Sequence, residues 1–208
     1  MSVNRRTTPH TRQSMKMTIP FNLDFNHSVV TYQSSNGVYT TVGTDALING
    51  GVGGLENATY LDLTLHTGAP DIAGVARLDL ARMPGVRTLK INVAYETQDD
   101  NRGVLDVWKS ILALVRSIPD TLPLCRLVLC SPVTREMLRS GWARAPFGHA
   151  LGRVTWNIDA RLVRLVDGTA PVDTVVLVPP RGENFTADEW HRTTSLFPAL
   201  RDYGMLEF

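Results

Sequence analysis

One short pattern recurs along the chain and limits what it can become. It reads apolar-x-x-apolar-x-apolar, as Ala58/Leu61/Leu63, Val75/Leu78/Leu80, Val86/Leu89/Ile91, Leu124/Leu127/Leu129 and Val172/Val175/Leu177. The last two positions of each unit lie two apart, which puts them on one face of a strand. The first lies three residues earlier, where the chain turns into that strand. The repetition predicts short strands sharing one buried ladder, and stacked strands present a broad surface rather than a pocket.

The pattern is the core of the leucine-rich-repeat signature, but its spacing is irregular. Leu89 to Leu127 is 38 residues and Leu127 to Val175 is 48, against about 20–29 in regular repeats. Leu78 and Leu89 stand too close for two full units, so one unit leads into the other through the turn Met83-Pro84-Gly85. Between the later units lie helical patterns. Val104, Trp108, Ile111, Val115 and Ile118 form a stripe over 103–118, with Asp99, Asp100 and Asn101 as candidate caps and Pro119 as the stop. Leu151, Val154, Ile158, Leu162 and Leu165 form a second, ended by Asp167-Gly168. Ser131-Pro132 reads as the cap and first position of a short helix to about Arg139. Thr186 and Glu189 read as a capping box for a helix carrying Trp190, Thr193 and Phe197, which Pro198 kinks or restarts. Gly204 ends it, and 205–208 reads as a last strand.

From residue 86 onward strands and helices alternate, which predicts parallel strands joined by helical crossovers. The expected fold class is therefore α/β, an irregular leucine-rich-repeat-like array with mostly parallel strands and helices on the outer side. Upstream, residues 28–43 read as a hairpin around Asn36-Gly37, a pair suited to a type I′ turn. The expected organisation is a disordered basic tail over 1–17 and one domain over 18–208. Arg5, Arg6, Arg12 and Lys16 precede the first acid, Asp24, and no periodic apolar face accompanies them.

The whole chain of 208 residues carries a net charge of only +1. No global field draws it to nucleic acid or to an acidic membrane. No apolar run approaches the ~20 residues that span a bilayer, and no signal peptide is recognised. Cys125 and Cys130 lie five apart around one strand, on opposite faces, which disfavours a mutual disulfide. Cytoplasm or nucleus is the expected compartment.

Catalytic signatures fail on inspection. Gln33 stands where a nucleophile elbow at Ser35 needs glycine. The glycines at 50, 51, 53 and 54 lack the Lys-Ser/Thr of a phosphate loop. His10, His27, His66, His149 and His191 show no paired ligand spacing, so no metal or cofactor is expected. Trp108, Trp142, Trp156 and Trp190 read as core packing rather than stacking platforms.

On the strands, residues between the ladder positions point to the open face. Those are Asp62, Thr64, Lys90, Asn92, Arg126, Val128 and Val176. They are the candidate binding residues, with Lys90 and Arg126 suited to charge-assisted contacts.

The second half also resembles a known family. Ile111 to Pro119 followed by Leu124 to Leu129, then Trp156-Asn157-Ile158-Asp159 as a helix start, then Phe197 to Phe208, are similar in order to the leucine-rich-repeat-like regions of F-box proteins of mushroom-forming (basidiomycete) fungi. The resemblance covers roughly residues 86–208 and implies a non-catalytic substrate-recognition or scaffold domain with an unknown protein ligand. The family's F-box, which docks a Skp1-like adaptor, is not visible in residues 1–50, so that adaptor is a partner only if an F-box accompanies this chain. The competing expectation is an α/β enzyme with its site at strand C-terminal ends, where His66, Asp99 and Asp100 are the clustered candidates.

Overall fold

A hairpin opens the sheet. Val29–Ser34 (β1) and Tyr39–Gly43 (β2) pair antiparallel, with Val30 opposite Val42 and Gln33 opposite Tyr39. The turn differs from the expected type I′, which needs positive φ at both central residues. Here Gly37 takes φ 84°, while no described non-glycine residue has positive φ. The Gly37 N–H donates to Ser34 O at 2.9 Å and the Ser34 N–H to Val38 O at 3.0 Å. This is a three-residue loop closed by a left-handed glycine. Asn36 contributes through its side chain instead, its Oδ1 accepting from the Val38 N–H at 3.2 Å and from the Ser34 hydroxyl.

The structure, a computed structural model, describes residues 29–44, 46, 55–67, 72–75, 77–95, 101–140, 146–167, 172 and 174–208. The basic tail over 1–17, the glycines at 50–54, Asp99, Asp100 and Trp142 lie outside the described residues. The remaining strands are Ala58–His66 (β3), Thr88–Ala94 (β4), Arg126–Cys130 (β5), Thr174–Val178 (β6) and Leu206–Glu207 (β7). The helices are Ile72–Val75 (α1), Asn101–Ser117 (α2), Arg135–Ser140 (α3), Pro146–Asp167 (α4), Ala187–Thr194 (α5) and Pro198–Asp202 (α6).

All seven strands form one sheet in the order β2-β1-β3-β4-β5-β6-β7. β3 pairs antiparallel with β1, and β3 to β7 are parallel throughout. The class is thus α/β with a mostly parallel sheet. Each parallel strand lies beside the next one in sequence. Crossovers between parallel strands are right-handed, so an order without reversal lays every connection on the same face of the sheet. The burial of the strands agrees. Leu61, Leu63, Leu89, Ile91, Leu127, Leu129, Val175 and Leu177 are all buried in the single core cluster, with Val107, Ile111 and Leu114 of α2 and Leu151, Ile158 and Leu162 of α4.

The register shows which of the apolar units align across the sheet. Leu61, Leu89, Leu127, Val175 and Leu206 are successive neighbours across the sheet. The leading positions Ala58, Val86, Leu124 and Val172 are buried as well. Val75/Leu78/Leu80 makes no strand. Val75 ends α1, and Leu80 begins a 3-10 turn, Leu80–Arg82, in which the Asp79 carboxylate accepts from the Ala81 N–H at 3.1 Å. This unit leads into β4 and lends three buried side chains to the core. Gly85 marks how closely the two strand entries pack, since a Cβ there would meet Ala58 O at 3.0 Å.

Local signals place most helix ends. The capping box at Thr186 and Glu189 is complete. Pro198 restarts the chain as N1 of α6, and Gly204 follows with φ 68°. Ser131 is a correction. Its hydroxyl accepts from the Val133 N–H at 3.2 Å and donates to Val133 O at 2.8 Å, closing a turn. The helix starts three residues later than expected, where Thr134 Oγ1 accepts from the Met137 N–H at 3.2 Å.

Candidate recognition surface

The second face of the sheet is formed by the residues between the ladder positions, and register aligns them in rows. The middle row runs Thr41, Thr31, Asp62, Lys90, Val128, Val176 and Glu207 across all seven strands. A flanking row runs Tyr39, Gln33, Tyr60, Thr88, Arg126 and Thr174. On the other side Thr64 lies beside Asn92. All seven sequence-derived candidates therefore share this face, as strand alternation requires.

Asp62 is its polar centre. One carboxylate oxygen accepts from Lys90 Nζ at 3.1 Å and from the Tyr60 hydroxyl at 3.2 Å; the other accepts from Asn92 Nδ2 at 2.6 Å. The ion pair is only partly screened, with the side chains 34 % and 20 % exposed. Partial burial, then the adjacent Asp62 carboxylate, push the Tyr60 hydroxyl up to about 12. At neutral pH Tyr60 is a donor that holds Asp62 in place. Tyr39 of the hairpin packs edge-on against Tyr60 at 6.3 Å. Thr31 and Thr41 bond to each other at 2.9 Å.

The other half of the face is different. Val128 and Val176 continue the Asp62–Lys90 row with apolar side chains, but Val128 is buried, contrary to the expectation of an open-face residue, and Val176 is half-buried. Cys130 stands two residues beyond Val128 and is buried, its thiol 3.9 Å from Val93 O. Burial pushes that thiol up to about 12, so it is uncharged at neutral pH and a poor nucleophile. Arg126 is exposed beside this apolar strip and joins none of the face's ion pairs.

No family model, curated protein or solved structure matches the chain.

The face must therefore be read from its own chemistry. It holds one fixed carboxylate with three donors and an apolar strip beside a guanidinium. Among the described residues no three His, Cys, Asp or Glu side chains gather as a metal site, and no helix is long and apolar enough to cross a membrane. At the C-terminal ends of the strands, the Trp108 indole donates to the Tyr95 hydroxyl at 3.2 Å, which donates to Ser131 O at 2.8 Å. His66 ends β3 beside Ala94, while Asp99 and Asp100 fall outside the described residues. The parallel strands run in order without the reversal that opens a crevice in doubly wound sheets.

Sequence reasoning missed Tyr60, Tyr39, Thr31 and Thr41 as members of the face. Tyr60 was within reach, because it lies two residues before Asp62 on the same strand. The hairpin residues needed the β1–β3 pairing, which carries no local signal.

Proposed function

We infer that the molecule is an irregular leucine-rich-repeat-like array that recognises a protein ligand through the open face of its sheet, without chemical turnover. The observation that carries this reading is the asymmetry of the sheet. On β3 to β6 the ladder face is buried against the helices, whereas the other face carries a partly exposed polar centre at Asp62, Lys90 and Asn92, with buried Val128, half-buried Val176 and exposed Arg126 beside it. Side chains on rigid strands bind with little ordering cost, and repeat arrays use such faces for recognition.

The sequential strand order supports the repeat reading, and the resemblance to the repeat regions of fungal F-box proteins makes a substrate-receptor or scaffold role the natural one. A Skp1-like adaptor belongs to the proposal only where an F-box accompanies this chain. Neither nucleic acid, membrane nor cofactor has a part in it. Both cysteines are free thiols, which suits a reducing compartment such as cytoplasm or nucleus.

The test is affinity capture from the source cells with wild type and a Lys90→Glu/Arg126→Glu variant, each checked by thermal melting. Loss of a specific partner from the folded variant is expected. An unchanged partner set would remove the open face as the site.

A further inference from the structure

The helical side of the molecule carries a residue that its packing does not explain. Trp156 projects from the middle of α4 and is 68 % exposed. It is neither a helix start nor part of the core, contrary to both sequence expectations. Leu151, Ile158, Leu162 and Leu165 of the same helix are buried, and two residues from Ile158 is about 200° around the helix axis. The rotation of a well-packed helix thus holds the indole in water. Val38, Tyr39, Tyr203 and Phe208 are exposed too, but Trp156 alone of these stands in the middle of a long helix, where its indole offers a partner a large apolar area.

The surroundings give this ring a shape and a charge. One turn earlier lies Gly152, where a Cβ would meet nothing within 4 Å. One turn later lies exposed Ala160. The ring is a knob between two shallow steps. Arg153 and Arg164 are exposed on the same helix and join no ion pair. Arg116 of neighbouring α2 is exposed and reaches Asn157 Oδ1 with Nη2 at 3.4 Å, keeping its charge beside the ring. The acid nearest in sequence, Asp159, lies about 60° round the helix but is buried, its carboxylate accepting from the Ala199 and Leu200 N–H groups at 2.8 and 2.9 Å.

We propose that the outer face of α4 around Trp156 is a second docking surface, and that its occupant is an acidic segment of a partner protein. Tryptophan and arginine are the residues that most often anchor protein interfaces. Arg153 one turn before the ring, Arg116 on the neighbouring Asn157 and Arg164 about 12 Å further along the same side give this face a positive character that complements carboxylates. A second copy of this chain would bring arginine against arginine. A nucleic-acid strand calls for a series of stacking rings, and a lipid surface for a broad apolar face. Neither surrounds this single indole. The surface lies on the helical side, away from the strand face, and its occupant can bind independently of a ligand there.

The test uses the full chain with a photo-cross-linking amino acid at Ala160, exposed to source-cell lysate. The cross-linked segment is sequenced, synthesised and titrated against wild type, Trp156→Ala, Arg153→Glu/Arg164→Glu and Lys90→Glu/Arg126→Glu. A segment of net negative charge is expected. Its Kd should rise at least about tenfold in the first two variants and stay unchanged in the third. Trp156→Ala should melt with wild type, since it empties no core. Capture of no segment, a segment without net negative charge, or equal binding by all variants would overturn the proposal. So would Trp156-dependent binding of single-stranded oligonucleotides or phosphatidylserine vesicles. The open-face reading stands or falls on the Lys90/Arg126 variant alone.

Discussion

Ile91 and Lys90 are adjacent in β4 and live in different worlds. Ile91 is fully buried between Leu63 and Leu129. Lys90 lies half in water between Asp62 and Val128. The ladder face of β3 to β6 therefore holds the core, while the second face carries a partly exposed polar cluster beside buried Val128 and Cys130. The difference teaches where to look for function here. The proposed recognition residues are ones whose removal is expected to leave the fold intact.

Three substitutions sharpen that contrast. Ile91→Ala opens a cavity in the ladder, and chemical denaturation should show a loss of about 2–5 kcal/mol. Lys90→Met removes a partly exposed ion pair and should cost no more than about 1 kcal/mol in the same measurement. A larger loss would mean that the open face also holds the fold together. Tyr60→Phe should change least at neutral pH and show itself only in alkali. The Tyr60 hydroxyl, ordinarily near 10, is pushed up to about 12 in the folded chain, so the folded state holds its proton more tightly. Its contribution is complete below about 10 and is lost as the pH rises through about 12. The melting temperature of wild type should fall more steeply across that window than that of the variant, and phenolate absorbance should show one late-titrating tyrosine missing from the variant. Parallel curves would detach Tyr60 from the Asp62 cluster.

Much of the fold was legible because its determinants are local. Strand parity is a two-residue signal, and it placed Asp62, Lys90, Asn92 and Arg126 on one face. The capping box at Thr186 and Glu189 is a three-residue signal, and it placed a helix start. At Val75/Leu78/Leu80 the short spacing to Leu89 already argued against a full unit, and there Asp79 fastens a 3-10 turn that leads into β4. The start of α6 has no side-chain cap of its own. Asp159, on α4, supplies it from 40 residues away, against a burial cost that raises its pKa. No sequence window contains both partners. The Asp62 cluster is similar, since Lys90 and Asn92 reach it only through strand register. Trp156 was legible in principle, because the buried stripe through Ile158 leaves position 156 on the far side of the helix.

The order of the strands also has a kinetic meaning. From β3 onward every strand finds its partner in the next stretch of chain, so no loop has to close over the whole molecule before pairing begins. Structure can grow outward from one strand pair by accretion, each addition covering the ladder of the last. The same arrangement lets damage spread slowly. A weakened β6 and β7 can fray while the β3–β4 pair, with its Asp62 cluster, persists.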